Sequence, residues 1–139
     1  MKHAFHQTLL AGLTTLSLAL GSSATTAATV KITEVPPCGG GASQTAPIAG
    51  HIVGFEVGDR VVLWAITDQA YVQPFTASPF TAIEPDGGNW RNFTHLGQSY
   101  MAMIVKPGYQ PPATAFKLPK VGGDIIAVDM VQCGGGGRR

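Results

Sequence analysis

DRVVLWAIT (residues 59–67) is apolar at every position from Val61 to Ile66 and carries β-branched residues at Val61, Val62, Ile66 and Thr67. A strand with one wet face alternates apolar and polar residues, so a run without that alternation belongs in the middle of a sheet covered on both sides. SYMAMIVK (99–106) has the same character and reads as a second central strand. Around these two lie half-wet strands. TVKITEV (29–35) alternates Val30, Ile32 and Val35 with Lys31 and Thr33 until PPCGGG stops it. PIAGHIVGF (47–55) follows, with Gly50 and Gly54 marking a bulge or a close backbone approach. YVQPF (71–75), WRNFTH (90–95, with Trp90 and Phe93 facing inward) and DIIAVDMVQC (124–133) complete the set.

The connections carry turn chemistry. Thr67-Asp68-Gln69-Ala70, Asp86-Gly87-Gly88 and Leu96-Gly97-Gln98 are short turns, and ASPFTAI (77–83) and EPDGGNW (84–90) are proline-bearing links. PGYQPPATAFKLPKVGG (107–123) has four prolines and no period, which predicts a long surface loop. Seven or eight short strands with no amphipathic helix predict an all-β chain, a single immunoglobulin-like or transthyretin-like β-sandwich. No internal repeat points to a propeller or solenoid.

The first 28 residues read as a signal peptide: Lys2 gives a positive start, Leu9–Leu20 an apolar run, and Gly21–Ala28 a small-residue stretch with Ala28 the favoured cleavage site. The apolar run is shorter than the roughly 20 residues that span a bilayer, so no membrane span is expected after cleavage. The expected organisation is a signal peptide at 1–28, a β-sandwich at 29–133 and a flexible Gly/Arg tail at 134–139. Without Lys2 the chain has eight basic and eight acidic residues, a balance that supplies no basic face for nucleic acid or anionic lipid. Charged residues make up 12% of the chain beside 18 glycines and 10 prolines, a composition of ordered turns more than of disorder.

Cys38 and Cys133 are the only cysteines, and in an oxidising compartment they predict one disulfide. Each closes the C-terminal end of a strand. A bond between them therefore predicts that the first and last strands lie side by side and run parallel. Two cysteines without neighbouring histidines cannot complete a zinc shell, and neither a metal nor another cofactor is expected.

No set of residues carries catalysis. His51 and His95 are the only histidines after residue 28, no G-x-S-x-G turn is present, and Asp59, Asp68, Asp86 and Asp124 stand singly at turns. His95, between a strand and a glycine turn, reads as a hydrogen-bonding turn residue. Asn92-Phe93-Thr94 matches the glycosylation pattern, which has meaning only in a eukaryotic secretory pathway. Among the aromatics, Trp64, Trp90 and Tyr100 suit a core. Tyr71, Gln73, Trp90 and Tyr109 sit at or beside loops and are the candidate ligand contacts, because sugars stack on flat Trp or Tyr faces and bond to nearby amides.

The order of motifs adds a resemblance. VVLWAITD, YVQP, PFTAI, DGGNW, THLG, YMAMIV, YQPPAT and LPKVGG follow one another from Val61 to Gly123. This order resembles a family of bacterial exported β-sandwich modules that occur alone or appended to larger secreted proteins, some of them polysaccharide-active. The likeness covers about 70 residues, up to Val128. It implies a location and a fold, and it assigns no functional residue. The ending CGGGGRR departs from the pattern.

These readings lead to a secreted, extracellular or periplasmic, non-enzymatic interaction module for a glycan or an extracellular protein. The alternative is a structural subunit that self-associates into a fibre or surface layer through edge strands. A hydrolase stands last.

Overall fold

The structure is a computed structural model that describes Gly21 and residues 26–135, so most of the expected signal peptide and the tail from residue 136 lie outside the described residues. The strands are β1 (Thr29–Glu34), β2 (Thr45–Val53), β3 (Arg60–Ile66), β4 (Ala70–Gln73), β5 (Phe80–Thr81), β6 (Asn89–His95), β7 (Ser99–Val105), β8 (Thr114–Ala115) and β9 (Ile125–Gln132), ending in a 3₁₀ turn at Cys133–Gly135. They form a small sheet, β1-β2-β6, and a large one, β8-β4-β3-β7-β9, with β5 also paired to β3. The ladders between strands are antiparallel. Setting aside the two-residue strands β5 and β8, the order is that of an immunoglobulin-like sandwich whose fourth strand is carried on the larger sheet.

β3 and β7 are neighbours, with Trp64 opposite Met101, and both are buried on two faces. On the inner face Val61, Leu63, Ala65, Ala102 and Ile104 meet Ile32, Ile48, Ile52 and Trp90 of the small sheet. On the outer face Val62, Trp64, Met101 and Met103 are covered by Tyr109 and Leu118 from the proline-rich segment, and by Phe80 and Ile125. That segment is the surface loop its prolines predict; Tyr109 and Leu118 strap it over the outer face, while Thr114–Ala115 joins the sheet edge as β8. This cover explains why the central strands have no wet side. Each large apolar side chain buried this way contributes on the order of 1.5–3 kcal/mol.

The small sheet keeps a period of two. In β6 Trp90 and Thr94 point inward, so Phe93 points outward and is 59% exposed, which corrects the expectation that it faces the core. Gly50 lies opposite Trp90 in the β2–β6 ladder, and a methyl group there would collide with the indole and with the Lys31 carbonyl oxygen. Gly50 therefore marks a close approach, and the bulge falls in β1, between Ile32 and Glu34.

The Cys38–Cys133 disulfide is formed, with the Cα atoms 4.8 Å apart. β1 and β9 run in the same direction: the Ile32 amide donates to Asp129 Oδ2 at 2.8 Å, and the Gly134 amide donates to the Pro36 carbonyl at 2.9 Å. They share no ladder, however, because β1 pairs with β2 in one sheet and β9 with β7 in the other. The expected side-by-side pairing is thus corrected to two sheet edges facing each other. A disulfide fixes a Cα separation and leaves sheet membership open.

At the β6–β7 corner the buried Tyr100 hydroxyl accepts from the Gly97 amide at 2.8 Å and donates to the Pro37 carbonyl at 2.8 Å. A tyrosine closing this corner is a recurring device of immunoglobulin-like sandwiches. No helix among the described residues is long and apolar enough to cross a membrane.

Candidate functional site

The large sheet is wider than the small one at the side where β4 and β8 lie beyond β3. Side chains on the inter-sheet face of β4 therefore have little of the small sheet in front of them. Tyr71 and Gln73, opposite Ala65 and Leu63, are the two such residues. They line a cleft of about 540 Å³ whose other walls are the Thr67–Asp68 turn, Phe75 and Thr76 after β4, and His95 at the end of β6. The Gln73–Pro74 peptide on this wall is cis.

Gln73 is 3% exposed and fully engaged. Its Oε1 accepts from the His95 main-chain amide at 2.8 Å and lies 2.9 Å from His95 Nδ1, while its Nε2 donates to the Tyr71 carbonyl at 3.2 Å. A buried amide needs such partners, and here they tie β4 of one sheet to β6 of the other. The His95 ring meets Phe75 edge-on, with centroids 5.9 Å apart, and Phe75 itself is 60% exposed at the rim.

The opposite wall is braced as well. The Tyr71 hydroxyl donates to Asp68 Oδ1 at 3.1 Å and accepts from Gln69 Nε2 at 3.1 Å, and the Thr67 hydroxyl donates to the same Asp68 oxygen at 2.8 Å. Hydrogen bonds from Thr67 and then Tyr71 hold the Asp68 carboxyl below the usual carboxylate value. Asp68 is the one carboxylate in the lining, and neither lysine nor arginine contributes to it.

The four candidate contacts separate. Tyr71 and Gln73 share the cleft, but Gln73 is buried with its amide engaged by His95 and Tyr71, so it shapes the site and is not a free contact. Trp90 is 1% exposed in the core above Gly50, which removes it from the ligand contacts. Tyr109 is on the strap over the outer face, where burial pushes its hydroxyl pKa up. Phe75 and His95 join the cleft without having been singled out as contacts. For Phe75 the sequence carries a signal, since residues 71, 73 and 75 of YVQPF have the two-residue spacing of one strand face.

His51 is exposed on β2, and no group of three His, Cys, Asp or Glu residues among the described residues is placed to hold a metal ion. The Asn92 side chain is engaged on both sides, donating to Thr81 Oγ1 and accepting from the Phe93 amide, each at 2.8 Å. Against known proteins, the chain matches no family model, no curated protein and no solved structure.

Proposed function

We propose that the protein is an exported, non-enzymatic interaction module that binds a carbohydrate surface ligand in the cleft between β4 and β6. The observation that carries this reading is the cleft itself. Its volume of about 540 Å³ lies in the range of small-ligand sites, its polar atoms are held in place by hydrogen bonds, and an exposed aromatic ring stands at its rim. Phe75 offers a flat apolar face to the C–H face of a sugar ring, and Tyr71, Asp68 and His95 offer polar groups to its hydroxyls.

Binding is favoured over hydrolysis by the company that His95 keeps. Neither serine nor cysteine lines the cleft to serve as a nucleophile beside it, and Asp68 is the one carboxylate there. Assembly through edge strands is less favoured, because Gln73 occupies the His95 amide at the β6 edge and Asp129 of β9 is turned onto the β1 edge. Export is supported by the pattern of the first 28 residues, by the disulfide, and by the resemblance to bacterial exported modules.

Calorimetric titration of the exported protein with a panel of soluble neutral oligosaccharides tests the reading. Binding that is lost in Tyr71→Ala and in Phe75→Ala supports it. Silence across a broad panel, or binding indifferent to both substitutions, contradicts it.

A further inference from the structure

Gln73 decides where His95 carries its hydrogen. The oxygen and nitrogen of a side-chain amide are distinguished by their partners, and both partners here are main-chain groups without a choice of role. The His95 amide can only donate and lies 2.8 Å from Gln73 Oε1, while the Tyr71 carbonyl can only accept and lies 3.2 Å from Nε2. Turning the amide over would set donor against donor and acceptor against acceptor around a side chain that is 3% exposed. The oxygen therefore faces His95. Nδ1 of the ring, 2.9 Å from that oxygen, must be the nitrogen that carries the hydrogen.

In a neutral imidazole the remaining nitrogen is then a bare acceptor. His95 lines the cleft, and its Nε2 hydrogen-bonds no described residue. The second polar wall is also an acceptor, the Asp68 carboxylate, and no lysine or arginine of the lining offers charge to an anion. We infer that Gln73 is a specificity residue: by holding His95 as the Nδ1–H tautomer it makes the cleft select an uncharged, hydroxyl-donating ligand such as a neutral saccharide, and reject carboxylates and phosphates. The ligand part of this inference rests on the proposed role of the cleft, whereas the tautomer does not.

Long-range proton–nitrogen correlation spectra of the nitrogen-15-labelled protein, in mildly alkaline buffer that keeps imidazoles neutral, read the tautomer directly. The His95 signals are assigned by their loss in His95→Ala. The expected pattern is a protonated Nδ1 and a bare Nε2; the protonated Nδ1 is retained in Gln73→Glu, which keeps an acceptor, and the pattern is lost in Gln73→Leu. A wild-type His95 protonated at Nε2 overturns the inference, whatever the protein binds. In a parallel arm, a neutral oligosaccharide should bind at least tenfold more tightly than a uronic-acid oligomer of equal length. Equal or tighter binding of the acid overturns the selectivity and leaves the cleft standing as a binding site. Binding of neither, with the Nδ1–H tautomer in place, overturns the role of the cleft and with it the ligand assignment.

Discussion

Gln73 Oε1 lies 2.8 Å from the main-chain nitrogen of His95 and 2.9 Å from its ring nitrogen Nδ1, so one buried amide joins the overhanging strand of the large sheet to the edge strand of the small one. The contact spans 22 residues of sequence, and both residues line the cleft. Stability and site geometry are thus coupled at one side chain.

Replacing Gln73 with leucine keeps the volume and removes every polar partner. The His95 amide and the Tyr71 carbonyl lose their bonds to it, and each buried polar group left unpaired costs about 1–3 kcal/mol. Urea unfolding should show a loss of that order for Gln73→Leu. Equal stability of Gln73→Leu and wild type would show that the clamp contributes nothing.

Tyr100→Phe removes the hydroxyl shared by Gly97 and Pro37 and should cost about 1–3 kcal/mol at neutral pH. A pH signature accompanies this loss. Burial raises the Tyr100 pKa above its ordinary 10.0, so in the window above that value the unfolded chain has released a proton that the folded chain still holds. Raising the pH through this window favours unfolding. Wild-type stability should therefore fall with pH above about 10, more steeply than that of Tyr100→Phe. The variant keeps a residual slope from Tyr109, whose value is raised in the same direction. Parallel slopes would contradict the assignment.

Reducing the Cys38–Cys133 bond releases a loop with a sequence separation of 95. Chain entropy makes this worth about 3–5 kcal/mol. Ile32 with Asp129 and Gly134 with Pro36 still hold the two sheet edges together, so the far-ultraviolet dichroism of the reduced protein should be unchanged in the absence of denaturant. Loss of the β signal on reduction would show that the bond is needed for the fold itself.

Two glycines make a matched pair. A methyl at Gly50 collides with Trp90 and the Lys31 carbonyl, whereas one at Gly108 meets nothing within 4 Å. Gly50→Ala should lose about 1–3 kcal/mol or more through overpacking, and Gly108→Ala should be close to neutral. Thermal unfolding of both variants tests the pairing of Gly50 with Trp90.

Strands whose burial repeats along the chain could be read from the residues alone. The unbroken apolar run at Val61–Ile66 identified the centre of the large sheet, and the alternation of TVKITEV identified a half-wet edge. The face of Phe93 is not legible, because an aromatic residue suits either face and only the register with Trp90 as the inward residue decides. The prolines of the 107–123 loop give it no period, and covering a sheet requires none, so the residues place it on the surface without showing what it covers. At the cleft, Tyr71 and Gln73 were accessible through their place beside a turn. The partnership of Gln73 with His95 was not, since it forms only when two sheets are brought together. By residue type Trp90 suits both core and ligand contact, and its 1% exposure over the bare backbone of Gly50 places it in the core.

Mapping amide shifts while titrating the labelled protein with a neutral oligosaccharide that it binds tests the central claim most directly. The shifts should fall on Thr67–Thr76, on His95 and Leu96, and on Ala113 and Thr114, the residues around the cleft. Shifts centred instead on Tyr109 and Leu118 over the outer face would place the ligand on the strap and contradict the account.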